Sequence, residues 1–169
     1  NLFPAYFHGC CGGRTARAAR VWPVEPNPVL EGVACSFCRG TKHWRWSFRI
    51  TFAEVEQAMQ EHGFPAKNLK RIHFHGRDDS GRISKVTLDY ARSRAAVSAG
   101  DFRRFLGYDR MRSLKAYVRV KKGAIDIRGY GWGHGAGFCQ WGAKGQAEAG
   151  KSYREILEFY YPGSAIRRV

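Results

Sequence analysis

Between residues 129 and 142 the chain reads GYGWGHGAGFCQWG, with glycine at every second position from Gly129 to Gly137. Tyr130, Trp132, His134 and Ala136 fill the gaps. A strand points successive side chains to opposite faces, so the alternation predicts one bare face and one face carrying two rings and an imidazole. A bare face lets another backbone or a flat ring approach closely. The loaded face suits the apolar side of a pyranose ring, beside a group that can give or take a proton. Tight strand packing against an aromatic core is the competing reading of the same pattern. After Gly137 the alternation stops. Residues 140–149 read as a helix stopped by Gly150, with its unpaired N-terminal amides directed back towards His134 and the amide side chain of Gln140.

The remaining segments are short and mixed. Residues 1–8 read as a strand followed by a turn at Gly12 and Gly13, and Pro23, Pro26 and Pro28 hold 21–43 in loops. HWRWSFRI (43–50) alternates as an amphipathic strand. Thr51 with Glu54 forms a capping box for a helix that Gly63 and Pro65 end. The turn residues Asp78, Asp79, Ser80 and Gly81 separate two strand-like runs, which predicts a hairpin. Residues 98–107 read as a helix, 114–120 and 124–128 as strands, and a second capping box (Ser152, Glu155) opens a helix over 153–160 that Pro162 and Gly163 close. The expected architecture is α+β, mainly antiparallel strands with about four short helices in a single domain over 1–169.

A chain of 169 residues with 11 Phe, 8 Tyr and 5 Trp can bury a sizeable core. No run reaches the roughly 18 apolar residues of a membrane span. No basic-then-apolar leader opens the sequence, and NLFPAYFHGCCGG looks like the middle of a folded domain, so the chain is expected to be part of a larger protein. Lys and Arg number 29 against 14 Asp and Glu. That excess favours a polyanionic partner or leaves a solvated basic surface, and it is dispersed rather than blocked. Nucleic acid is the least favoured partner, because no segment resembles a recognition helix or an RNA-binding aromatic motif.

His8-x2-Cys11 and Cys35-x2-Cys38 stand 23 residues apart. Two short knuckles of this kind place four borderline or soft donors at tetrahedral corners, which suits Zn²⁺. Arg39 beside Cys38 favours a thiolate. Cys10 and His43 are further candidates for the fourth position. A disulfide from Cys11 to Cys35 or Cys38 is the alternative use of the same thiols, and ordinary burial is another. Cys139, distant in sequence, reads as a small buried residue.

RGYGWGHGAGFCQWGAKGQAEAGKSYREILEFYYPGSAI (128–166) resembles the C-terminal signature of the SpoIID/LytB family of bacterial cell-wall proteins. The match rests on Gly131, Gly133–His134–Gly135, Gly137, Gln140, Gly142–Ala143, Ser152 and the Tyr160–Gly163 end. AYFHGCCGGRTARAARVW (5–22), CSFCRGTKHWRW (35–46), SAGDFRRFLG (98–107) and SLKAYVRV (113–120) resemble further stretches of that family. The resemblance implies an extracytoplasmic protein of the bacterial envelope that acts on peptidoglycan. Its sporulation members are lytic transglycosylases that cut the MurNAc–GlcNAc bond of denuded glycan and leave 1,6-anhydro ends, and other members enhance a cell-wall amidase. His134 and Gln140 would then orient substrate, while Tyr130, Trp132, Gly133, Gly135, Gly137 and Trp141 would contact it. The family's catalytic Glu lies before the His8 motif, so no acid in this chain is nominated as proton donor. A non-catalytic wall-binding or amidase-stimulating module is the second expectation.

Overall fold

A computed structural model describes residues 2–64 and 67–166. The chain forms two compact units, one from 1–45 with 130–169 and one from 46–129. The architecture is α+β, as the segment pattern predicts.

The 46–129 unit carries two antiparallel three-stranded sheets. In one, β3 (Leu69–Arg77), β4 (Ile83–Tyr90) and β5 (Arg94–Ser98) lie in sequence order. Its hairpin turn is held by Asp78, whose Oδ1 accepts from the amides of Ser80 and Arg82 at 2.9 Å each. β5 has no counterpart in the sequence reading, since only Ala95 and Val97 carry its alternation. The other sheet runs in the order β2 (Arg45–Thr51), β7 (Ala124–Tyr130), β6 (Ala116–Lys121). Two helices supply the rest of this core. α2 (Phe52–Glu61) starts at the predicted capping box: the Thr51 side chain accepts from the Glu54 amide and the Glu54 side chain from the Thr51 amide. Gly63 follows it with φ +83°, while Pro65, the other predicted stop, lies outside the described residues. α3 (Ala99–Leu106) is capped by Ser98 and buries Phe102 completely. Burying one such side chain contributes about 1.5–3 kcal/mol.

The other unit has little regular structure. Where the sequence predicts a strand over 1–8, the described residues 2–8 give a two-residue strand, β1 (Phe7–His8), paired in parallel with β8 (Phe138–Cys139). Its helices are α1 (Ala18–Val21), which the sequence reading did not place, α4 (Gln140–Glu148) and α5 (Tyr153–Tyr160), with a 3-10 turn at Pro28–Leu30. α5 has the predicted Ser152–Glu155 capping box, and Gly150 after α4 takes φ +84°.

The glycine-alternating segment is not a strand, which corrects the sequence reading. The strand β7 ends at Tyr130, and Gly131, Gly133, Gly135 and Gly137 have φ of +80°, +109°, +93° and +71°. Side chains of L residues resist that region, so each glycine is a turn position and the two-faced alternation cannot form. Gly129 alone stays in the strand, where an added Cβ would lie 2.1 Å from the Trp46 ring. The expectation that bareness admits another backbone is met elsewhere: a Cβ on Gly131 would lie 2.4 Å from the Cys10 carbonyl oxygen, and one on Gly137 2.1 Å from that of Tyr6.

Candidate metal centre

The backbone of 6–16 is the thread on which this site is built. On one side Cys10 and Trp132 exchange both amide hydrogen bonds, at 3.0 and 2.8 Å, and the Ala16 amide donates to the Gly135 carbonyl at 2.8 Å. On the other side the Thr15 amide donates to Val33 at 2.9 Å and the Cys35 amide to Gly13 at 3.0 Å. Gly12 (φ +69°) turns the thread where an added Cβ would meet the Tyr130 backbone at 2.8 Å. Three distant cysteine-bearing stretches therefore meet around Cys11.

The sulfurs of Cys11, Cys35, Cys38 and Cys139 all lie within 4.8 Å of one another, and all four residues are buried. Cys11 and Cys38 are 3.4 Å apart, Sγ to Sγ. A tetrahedron of thiolates around a metal at about 2.3 Å has edges of about 3.8 Å, so the four sulfurs fit such a group with small adjustment. All five cysteines are free thiols, and the disulfide considered from the sequence is not formed.

Backbone amides already point at the sulfurs. Gly13 donates to Cys11 Sγ at 3.4 Å, and Cys11 and Gly142 donate to Cys139 Sγ at 3.2 and 3.3 Å. The Tyr160 hydroxyl lies 3.2 Å from Cys35 Sγ. Amide donors of this kind stabilise thiolates and fix their direction. Four thiols this close do not ionise together. Hydrogen bonds from Cys10, Cys11, Cys139 and Cys35 hold Cys38 far below the usual thiol range. Cys35 is brought down to about 7, chiefly by its hydrogen bond with Cys11. Cys139 is pushed up, first by its hydrogen bond with Cys10. A bound cation would let all four ionise, as metal ligation requires. All four residues are buried, and four protein sulfurs make up a full tetrahedral set, which is the form of a structural centre.

Cys139, rather than His8, completes this set. Its buried character agrees with the sequence reading, but its place as N-cap of α4, with the Gly142 amide on its sulfur, brings it to the cluster. The signal available in sequence was a fifth cysteine directly after the glycine motif. His8 is buried beside it, with Nδ1 3.0 Å from the Ala136 carbonyl, an acceptor to which Nδ1 must donate. Cys10 is not one of the four mutually close sulfurs, although its side chain hydrogen-bonds Cys38 and Cys139, and the His43 ring sits between Trp132 and Trp141 at 4.8 and 5.0 Å.

The expected substrate residues form a second neighbourhood in this unit. The Ala136 amide donates to His134 Nδ1 at 3.1 Å, so Nε2 carries the proton that reaches the Phe7 carbonyl at 2.9 Å. Trp22, which the sequence reading passed over, lies between Tyr6 (ring centroids 4.4 Å) and His134 (4.6 Å). Tyr130 meets the Trp44 ring at 5.5 Å, and Trp141 lies under Lys42 and Lys144 at 5.9 and 5.7 Å. Gly133 packs on His8, where a Cβ would lie 2.9 Å from the His8 Cβ. Gln140 is the exposed first residue of α4. The N-terminus of α4 does not serve His134, contrary to expectation: its amides at Trp141 and Gly142 go to the Gly9 carbonyl (3.0 Å) and to Cys139.

The family described as Domain of unknown function (DUF8618) matches residues 27–137. The chain belongs to the DUF8618 family. This DUF8618 chain is 34% identical over 166 residues to an uncharacterised protein of Brachyspira hyodysenteriae (strain ATCC 49526 / WA1), an alignment covering 98% of the chain and 44% of that protein. It is 42% identical over 89 residues to the amidase enhancer of Bacillus subtilis (strain 168), covering 52% of the chain and 12% of that protein. It is 33% identical over 167 residues to stage II sporulation protein D of Bacillus amyloliquefaciens, covering 96% of the chain and 44% of that protein. The chain thus spans less than half the length of these relatives. Homologues with these names support the SpoIID/LytB-like relationship. Among the described residues no helix is long and apolar enough to cross a membrane.

Proposed function

We propose that this chain is the glycan-binding part of a peptidoglycan-directed protein of the bacterial cell envelope, stapled by a structural zinc ion. The observation that carries the reading is the seating of His134. The glycine motif fixes both imidazole nitrogens on backbone and sets the ring against Trp22 at 4.6 Å in a tilted contact. Similarity to proteins named amidase enhancer and stage II sporulation protein D supports a wall-directed role. Cys11, Cys35, Cys38 and Cys139 would hold the zinc, which would supply cross-linking of three chain segments and no chemistry on substrate.

In this reading the protein cleaves the MurNAc–GlcNAc bond of denuded strands to 1,6-anhydro ends. One carboxyl group suffices: it protonates the leaving oxygen and then takes the proton of the attacking C6 hydroxyl. Several acids of this unit have other partners. Glu31 pairs with Arg17 at 3.0 Å, Glu148 with Lys144, and Glu155 belongs to a capping box. The chain's own contribution is therefore binding and positioning. His134 is a positioning residue that keeps the aromatic pair Tyr6–Trp22 and the backbone at Phe7 in register. Tyr130, Trp132, Trp141 and Gln140 form the sugar-contacting surface, whereas Gly133, Gly135 and Gly137, expected from the sequence to touch substrate, serve as turns, the last two buried against the protein itself.

The test uses the protein that contains this chain, incubated with amidase-stripped glycan strands. His134→Ala is expected to abolish release of anhydro-ended fragments while zinc content is retained. Unchanged release overturns the role of His134. The 89-residue match to an amidase enhancer favours a second reading, a non-catalytic module that assists a wall amidase. That reading predicts co-sedimentation with sacculi, no anhydro ends, and a higher rate of a partner amidase.

A further inference from the structure

The charge of this chain lies mostly in a unit that the proposed function does not use. Residues 46–129 contain 18 Lys and Arg against 9 Asp and Glu. The sheet β2–β7–β6 turns one face inward through Trp46, Ile50, Ala116, Ile125 and Ile127, all buried. Alternation then puts Arg49 of β2, Arg128 of β7, and Arg119 and Lys121 of β6 on the outward face, where all four are exposed. Register places them close together: Arg119 is opposite Asp126, and Arg128 is opposite Tyr117. Asp126 is the one acid on this face, and it is held by Lys121 (3.0 Å) and Arg49 (3.4 Å). Arg49, Arg119, Lys121 and Arg128 thus face one acid, Asp126, which Arg119 also helps to hold ionised, and Lys122 extends the positive excess at the exposed hairpin end.

We propose that this sheet face binds a linear phosphodiester polymer of the envelope, of the poly(polyol phosphate) kind. Point charges recur about 6.8 Å apart along a strand and about 4.8 Å between strands. Such a row suits a flexible backbone of repeated phosphates, to which arginine offers paired donors. Single-stranded nucleic acid is the competing polyanion, because its binders stack bases on open aromatics and Tyr117 on this face is 61% exposed, so the test below sets the two side by side. Choosing an envelope polymer rests on the function proposed above, but the charged face does not, and the test separates them.

The experiment is a titration of the full chain with fluorescently labelled poly(glycerol phosphate), with oligo-dT of matched charge as comparator, from 50 to 200 mM salt. Three neutralised phosphates give a slope of log affinity against log salt of about −2, so about a 20-fold loss over that range. The double variant Arg119→Gln/Arg128→Gln is expected to weaken binding about tenfold and flatten the slope by about 1 or more. Lys70→Gln/Lys85→Gln, which removes equal charge from the other sheet, is expected to leave affinity within twofold. Both pairs are exposed, and an unchanged thermal transition checks that each variant folds. Equal losses in both variants, or no binding of poly(glycerol phosphate), overturn the proposal. Oligo-dT binding as tight as the polymer, with the same loss on Arg119→Gln/Arg128→Gln, overturns the choice of partner and leaves the wall-directed reading of the other unit to its own test.

Discussion

Replacing Gly142 by alanine sets helix propensity against the sulfur cluster. Gly142 is the third residue of α4, and in an ordinary helix Gly→Ala stabilises by up to about 1 kcal/mol. Here an added Cβ would lie 2.1 Å from the Tyr160 hydroxyl, 2.8 Å from Cys35 Sγ and 3.2 Å from Cys139 Sγ. The first two distances are shorter than any real Cβ contact, so something must move. Tyr160 is 2% exposed and its hydroxyl is on Cys35, so it cannot swing into solvent. Overpacking a closed core costs about 1–3 kcal/mol, and displacement of two sulfurs adds to that. The cost exceeds the helix gain, and the net effect is destabilisation by about 1–2 kcal/mol. At about 2–4 °C per kcal/mol for a chain of this size, the midpoint falls by several degrees. Differential scanning calorimetry of the metal-loaded protein, with zinc content measured in parallel, checks both consequences. A midpoint that is unchanged or higher, at full metal content, would refute the reasoning about the cluster.

The ligand set is separable by substitution. Cys139→Ser is expected to abolish stoichiometric zinc binding as Cys35→Ser does, whereas His8→Gln retains it, as read by metal analysis of protein purified with zinc. Acid stability offers an independent check in the other unit. The Thr51 amide, first, then Arg110 and the Thr51 hydroxyl, lower the Glu54 carboxyl from its ordinary value to about 2. A depressed folded-state value means that its contribution is present above the unfolded value of about 4.3 and is lost as pH falls towards 2. Thr51→Ala is therefore expected to cost about 1 kcal/mol at pH 7 and progressively less below pH 4, measured by urea unfolding. A cost independent of pH between 7 and 2.5 would contradict the capping-box account.

What could be read from the chain was local. Both capping boxes, the Asp78–Gly81 hairpin turn and the Gly150 stop depend on neighbours within four residues, and each was found where the sequence placed it. β5 escaped because its inward face is Ala95 and Val97, too weak a period to stand out, and its stability comes from pairing with β4. The CxxC knuckle and Cys11 were likewise visible by spacing. Cys139 was not, because 128 residues separate it from Cys11, and only the thread of 6–16 between 33–35 and 131–141 brings the two sulfurs together.

The glycine motif divides along the same line. Its composition determined that the backbone there must be bare and that another chain segment must come very close. Tertiary structure alone decided how: after Tyr130 the backbone winds through four left-handed glycines against 6–13 instead of extending as a strand. The physical reason is that alternation fixes side-chain faces only when φ is extended, and glycine is the residue least bound to that choice. Whether it extends or turns is settled by its partners, here the carbonyls of Tyr6 and Cys10, which leave no room for a Cβ.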